Sequence, residues 1–578
     1  MNRAETHRHA IPVAAEYDYI VVGAGSAGCV VASRLAEDPT VTVAFLEAGP
    51  DDHHFSVWTP IGFAGTVPKA GPRNYGYYSV AQPGLDGRSS YQPRGRGLGG
   101  SSSINGMIYI RGHRSDYDEW ASLGCHGWSY DDVLPYFRRS ERNQRVAGQH
   151  DDPWHGGVGP QHVSDARTLN PFSRRFVTAA AQAGLPLNHD FNGAQQEGAG
   201  FYQFTQYQGE RWNTARAYLH GGAVADKAMN GGRHGLAVLT GTQALRIVFE
   251  GRRARGVIVS RAGHLQTLCA RREIIVSGGV FNSPQLLMAS GVGPAAHLRE
   301  MNIDVVHDLP GVGENLQDHL DIAINKQVKS TDLYGYSMAG FMRLAREILR
   351  YRRDRTGMVS SNFVEAGAFV KSRSGLPAPD IQLAFVLALI GNRNMAKRSK
   401  LGHGFACHAC VLRPQSRGHV RLNSSDMRDA PLIDPRFLSA EADMETMVAG
   451  VRIVRRIFAQ SALAEMGGKE LLTDDFGPDN SNEDVIRAFI RSHADGIYHP
   501  VGTCRMGTGE MAVVDPSLRV RGIDGLRVAD ASIMPTLVGG NTNAPAIMIG
   551  EKAADLIRAA RRSEPPSHAT AAGAAPAH

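Results

Sequence analysis

Cysteine is scarce in this 578-residue chain, with only six (Cys29, Cys125, Cys269, Cys407, Cys410 and Cys504) at irregular spacing. That excludes a disulfide-stapled scaffold and points to reduced thiols, hence to an expected cytoplasmic setting. No stretch approaches 18 apolar residues, so no transmembrane segment is expected. Residues 1–16 also lack the apolar core of a secretion signal. Runs of five or six basic residues are absent too. With 62 Lys and Arg against 56 Asp and Glu, a net charge of +6, the balance is too even for a nucleic-acid partner. Proline, at 29 residues, sits near its usual ~5%. Glycine does not: its 65 residues stand well above the usual ~7%. A glycine excess without a proline excess implies tight turns and backbone packed closely against something.

At about 150 residues per domain, the length allows three to four domain-sized units. Tyr17–Val22 reads as a buried strand, followed by glycine turns, a helix to Glu37 and a second strand, Val41–Leu46, which ends at Glu47. This is a βαβ unit. From Leu333 to about Ser492 the pattern changes to alternating strands (Ile381–Ile390, Gly404–Leu412, His419–Leu422) and helical stretches such as Met444–Phe458. These imply an antiparallel sheet with helices. Cys407-His408-Ala409-Cys410 suggests metal binding, yet strand alternation puts its two cysteines on opposite faces, so no metal site is expected.

Gly23-Ala24-Gly25-Ser26-Ala27-Gly28 lies between the first strand and the first helix. A dinucleotide pyrophosphate fits there, against Gly23, Gly25, Ser26, Ala27 and Gly28 at the helix N-terminus. Glu47, 19 residues after Gly28, is placed to accept from a ribose 2′-hydroxyl and to repel a 2′-phosphate. NAD and FAD are not separated by this motif. A second small-residue run, Gly95-Arg96-Gly97-Leu98-Gly99-Gly100-Ser101-Ser102-Ser103-Ile104-Asn105-Gly106-Met107, offers backbone amides and hydroxyls to phosphates or a flat ring.

With that run the chain resembles the glucose-methanol-choline (GMC) family of FAD-dependent oxidoreductases. Gly279–Leu287 with Ser290–Gly293, Arg211–Leu219, Gly311–His319 and Leu526–Ser532 resemble further family blocks, although Val280 stands where a smaller residue is usual. The resemblance covers about 17–558. It implies an α/β fold in which a Rossmann-like FAD-binding domain (17–160, 210–325, 495–560) interleaves with a substrate domain on an antiparallel sheet (161–209, 326–494). Residues 1–16 and 563–578 are expected to be flexible tails. It also implies FAD held by Arg96, Gly99, Gly100, Ser101, Ser102, Asn105, Gly106, Ala244, Asp530, Ala531 and Thr542. Some members tether FAD through a histidine where this chain has Ile104, so dissociable, non-covalent FAD is expected.

Tyr498–Gly507 resembles the family's catalytic-histidine block and Gly539–Pro545 the block holding its partner. Alcohol oxidation needs removal of the hydroxyl proton and transfer of a hydride from the same carbon. By resemblance His499 is the base, and Asn541, with Asn543 as an alternative, donates a hydrogen bond to the developing alkoxide. Cys504 and Ser101–Ser103 lack the base and orienting partner of a nucleophile.

The expected reaction is oxidation of a primary alcohol to the aldehyde. Glu365 lies in a segment that in choline-oxidising members can place a carboxylate beside the substrate ammonium. Ile497 and Tyr498 adjoin the base. Aromatic residues (Tyr75, Tyr77, Tyr78, Phe201, Tyr202, Phe204, Tyr207) together with Leu383, Phe385 and Leu387 suit a hydrophobic alcohol better than a sugar. Choline, O₂ as acceptor, and an FAD-containing lyase of the same fold are the alternatives. The expected partners are a small alcohol and an electron acceptor, namely a quinone, an electron-transfer protein or O₂. An oligomer is left open.

Overall fold

The computed structural model describes residues 15–220, 235–390, 402–471 and 482–563. The tail expectations for 1–14 and 564–578 lie outside the described residues. Ala15 and Glu16, expected in the N-terminal tail, instead open the first strand, Ala15–Val22.

Two sheets organise the chain. In the first, the order is Leu236–Leu239, Val43–Leu46, Ala15–Val22, His264–Val276, Arg253–Arg261, Thr242–Glu250, with Leu526–Val528 also pairing to His264–Val276. Five of these strands run parallel: Leu236–Leu239, Val43–Leu46, Ala15–Val22, the end of His264–Val276, and Leu526–Val528. The other two extend the sheet as an antiparallel meander. Helices Ser26–Leu35 and Asn543–Ser563 pack on one another. Between them Arg34 pairs with buried Glu551 at 2.8 Å. The parallel strands are apolar on both faces (Ile20, Val21, Val43 and Phe45 are all fully buried), as a sheet covered on both sides requires.

The second sheet has the order Lys469–Leu471, Leu320–Val328, Gly402–Val411, Ile381–Val386, Ala366–Val370, Gly198–Phe201. Leu320–Val328, which the expected boundary between 325 and 326 would cut, pairs in this sheet along its length. Strand alternation separates Cys407, which packs with Phe405, Ala409 and Val411 in the helix-covered core, from Cys410, which packs with Leu412, Phe369 and Tyr202 on the other face. Helix Glu441–Phe458 covers the first of these faces with Met444, Met447, Val451 and Val454.

Candidate active site

A cleft of about 1740 Å³, its mouth included, opens beside the first sheet, with Val22, Leu46 and Ala244 in its lining. Its lining includes Gly23, Gly25, Ser26, Ala27, Glu47, Gly100, Ser101, Asn105, Gly106, Ala244, Asp530, Ala531, Asn541 and Thr542, and at one part Met107, Ile108, Ile497, Tyr498 and His499. Sequence segments more than 500 residues apart thus face one space. Ser26 Oγ donates to Asn543 Oδ1 at 2.7 Å, which ties the first glycine turn to the start of the C-terminal helix. Asn543, the alternative to Asn541, is occupied by that contact.

The glycine-turn end of the cleft is shaped by close backbone approach. A Cβ on Gly28 would lie 2.0 Å from Gly23 O, and one on Gly100 would lie 2.6 Å from Gly25 Cα. Gly25 and Gly106 by contrast have open faces, with no contact shorter than 3.9 Å for the first and none within 4 Å for the second. Helix and strand are therefore pressed together while the turn remains open to a ligand. Glu47 binds Ala24 N at 3.0 Å through one carboxylate oxygen and Gly49 N and Gly97 N, both at 2.8 Å, through the other. Burial raises its pKa against those three amides. Asp530 holds Gly279 N and Ser532 N at 2.9 and 2.8 Å.

Four of the expected cofactor residues are set back from the cleft wall. Gly28 packs under the turn. Gly99, at φ +85°, shapes the loop, and Ser102 Oγ donates to Gly99 O at 2.5 Å. Arg96 places its guanidinium 5.7 Å from the ring centre of Tyr75, which does line the cleft.

His499 is held on every side. Its backbone N donates to Asp318 Oδ1 at 2.7 Å, and the flanking Ile497 N and Val501 N donate to His319 O and Gln317 O, both at 2.9 Å. His499 Nδ1 lies 3.0 Å from His319 Nδ1, and His319 Nε2 lies 3.1 Å from Leu412 O. A carbonyl can only accept, so His319 carries its proton on Nε2 and its Nδ1 accepts from His499 Nδ1–H. His499 Nε2 is then the lone-pair nitrogen.

Asn541 meets that nitrogen at 3.1 Å through Nδ2. Its orientation is fixed the same way: Tyr202 Oη donates to Leu383 O at 2.8 Å, and Gln382 Nε2 donates to both Tyr202 Oη and Asn541 Oδ1 at 3.2 Å. Burial, then the neighbouring His319 and Arg94, lower the His499 pKa well below 6.5. The imidazole is neutral at neutral pH, with its basic nitrogen presented beside an amide donor. Tyr498, just before it, sits at φ +71°, a strained conformation for a tyrosine.

Sequence reasoning assigned no role to Arg94, Asp318, His319 or Gln382. Arg94 adjoins the Gly95–Met107 run, lines the cleft and donates to Tyr498 O at 2.6 Å. Burial lowers its pKa to about 10. Asp318 and His319 belong to the Gly311–His319 block, and only their nonlocal contact with His499 reveals their use.

Glu365 is not at the cleft. It is 2% exposed, and its carboxylate accepts from Asn170 N, Ser173 Oγ and Ser361 Oγ at 2.7, 2.9 and 2.7 Å. Leu383, Phe385 and Leu387 likewise face the helix-covered core. Cys504 is buried and its thiol pKa is raised by burial, opposite to what a nucleophile needs.

Profiles of the GMC oxidoreductase family match residues 17–321 and 414–550. The chain is similar to the alcohol dehydrogenase [acceptor] of Pseudomonas putida, 45% identical over 94% of this chain and 95% of that protein. It is also similar to the mitochondrial choline dehydrogenase of Homo sapiens, 42% identical over 94% and 90%. Among solved structures, pyridoxine 4-oxidase from Mesorbium loti matches with TM-score 0.81 at 28% identity, over 94% of this chain and 99% of that one. A formate oxidase from Aspergillus oryzae, studied for its FAD modification, matches with TM-score 0.84 at 26% identity, over 96% and 100%. A glycine turn and a histidine with its basic nitrogen in one cleft agree with full-length similarity: the chain belongs to the GMC oxidoreductase family and is an FAD-dependent oxidoreductase.

Proposed function

We propose that the chain oxidises an uncharged, hydrophobic primary alcohol to its aldehyde. The observation that carries this reading is the cleft beside His499, lined by Met107, Ile108, Ile497 and Tyr498 together with the half-buried cation of Arg94. Only two carboxylates line the cleft among the described residues, Glu47 and Asp530, and both are engaged by glycine-turn amides. A quaternary ammonium would therefore meet an arginine and no free carboxylate. The choline relatives make choline the competitor to be tested.

Gly25, Ser26, Ala27, Gly100, Ser101, Asn105, Gly106, Ala244, Asp530, Ala531 and Thr542 would hold FAD non-covalently, with Ile104 offering no attachment atom. FAD supplies the hydride-accepting chemistry when bound. His499 Nε2 takes the hydroxyl proton, and Asn541 Nδ2 donates to the alcohol oxygen as negative charge grows on it. The alcohol displaces the Asn541–His499 contact, since both groups address its oxygen. The Arg94 cation favours the alkoxide over the neutral alcohol, at the cost of lowering the basicity of His499.

The test is an anaerobic panel of aliphatic, aromatic and cationic alcohols, followed by bleaching of the flavin absorption and repeated with O₂ and an artificial acceptor. Aliphatic or aromatic primary alcohols should bleach the flavin. His499→Ala should slow the bleaching by about 10²–10⁴-fold with FAD retained. Bleaching by choline alone would refute the substrate class, and near-parental reduction by His499→Ala would refute the base.

A further inference from the structure

We propose that the helix Met338–Asp354 lies on the surface of an anionic lipid bilayer. Its sequence, MAGFMRLAREILRYRRD, places Met338, Phe341, Met342, Ala345, Ile348 and Leu349 on one stripe at three- and four-residue spacing. In a surface helix that stripe ordinarily faces the core. Here the orientation is reversed. Met338 is 76% exposed, Phe341 and Met342 are each 55% exposed, and Leu349 is 67% exposed, while Tyr351 is the helix's only buried residue. Exposed Tyr336 adds its ring to that of Phe341, centre to centre 6.4 Å.

The opposite face is polar and anchored to the protein. Ser337 caps the helix by accepting from Gly340 N at 3.0 Å. Arg343 pairs with Asp332 at 2.6 Å. Glu347 accepts from Met358 N at 2.9 Å, and Tyr351 Oη donates to Gly209 O at 3.2 Å. The apolar stripe therefore has nowhere to turn inward without breaking these contacts.

Charge selects the occupant. The helix carries five arginines against Glu347 and Asp354. Arg346 and Arg352 have no acidic partner among the described residues, and Arg352 sits on the stripe itself while Arg346 and Arg353 flank it. An exposed apolar stripe edged by arginines whose stems can lie along it while their heads reach phosphates is the pattern of a helix lying in the plane of an anionic interface. The segment that follows carries this surface towards the cleft: Asn362 Nδ2 donates to Gly106 O, and Gly106 lines the cleft.

The test is flotation of the FAD-loaded enzyme with vesicles of phosphatidylcholine alone or mixed with phosphatidylglycerol. It is independent of any alcohol, so its outcome is separate from that of the proposed function. The enzyme should float with the anionic vesicles, less so as salt rises. Phe341→Ser with Leu349→Ser should cut the bound fraction by about tenfold or more. Arg346→Gln with Arg352→Gln should weaken binding and flatten its salt dependence. All four positions are exposed, and flavin content with far-ultraviolet dichroism verifies folding of each variant.

Three results would overturn the proposal. One is an enzyme that stays with the unbound fraction. Another is serine variants that float as the parent does. The third is a parent that self-associates in sedimentation while the serine variant is monomeric, which would assign the stripe to a second copy.

Discussion

Replacing His319 with leucine isolates the assignment of the basic nitrogen on His499. His319 Nδ1 is the acceptor for His499 Nδ1–H at 3.0 Å, and His319 is fully buried. In His319→Leu, one tautomer of His499 leaves Nδ1–H facing a leucine. The other puts a proton on Nε2, against the amide donor of Asn541 at 3.1 Å. An unpaired buried donor costs about 1–3 kcal/mol, and each 1.4 kcal/mol is about tenfold. The productive tautomer therefore falls by about 10–100-fold. Anaerobic stopped-flow reduction by a saturating alcohol should slow by that factor, with the half-saturating alcohol concentration and the FAD content little changed. His319→Gln supplies an oxygen for His499 Nδ1–H and an amide for Leu412 O, and should recover most of the loss. A leucine variant that reduces its flavin at the parental rate would refute the tautomer argument, and a glutamine variant as slow as leucine would reassign His319 to packing.

Further expectations follow from the same contacts. Because burial lowers the His499 pKa, the proposed base is protonated only well below its ordinary 6.5. The limiting rate of flavin reduction should thus stay flat from pH 7 down through 6, whereas an inflection near 6.5 would contradict the buried neutral imidazole. In the flavin-free protein Asp318 is raised from 3.8 to about 7 by burial, against the lowering effects of Arg94 and the His499 and His319 amides. A raised acid pKa stabilises the fold fully below 3.8 and loses that contribution as pH rises through about 7, by at most about 4 kcal/mol. Asp318→Asn should accordingly flatten chemical denaturation midpoints between pH 4 and 7, and an unchanged slope would refute the shift. Acid precipitation should release FAD into the supernatant, and flavin colour retained in the washed pellet would overturn the reading of Ile104.

Gly23–Gly28 and Tyr498–Gly507 are each contiguous in the chain, and both contribute residues to the cleft. The first is readable from residue type and order, the second only through its resemblance to a family block. The second partners are not legible in that way. Gln382 looks like any polar residue on a buried strand until Tyr202 and Asn541 are found on either side of it. Glu365 shows the converse: its segment suggests an ammonium partner, but Asn170 and Ser173, almost 200 positions away, take up the carboxylate. Phe385 and Leu387 are misplaced by sequence for a simpler reason. Alternation names two faces of a strand without saying which one a helix will cover, and Glu441–Phe458 covers theirs.

The contact of Ser26 with Asn543 spans 517 positions, and the ion pair of Arg34 with Glu551 spans the same distance. Its consequence lies in the order of folding. During synthesis the first βαβ unit emerges with one flank of its opening helix uncovered, and the cleft lacks the wall that begins at Asp530. Closure waits for the last stretch of chain. With FAD held as proposed, its capture is a late event, and a ribosome-stalled chain ending near residue 520 should hold no flavin. Such a long interval with exposed apolar sheet edges is a window in which chaperones and proteases compete for the unfinished chain.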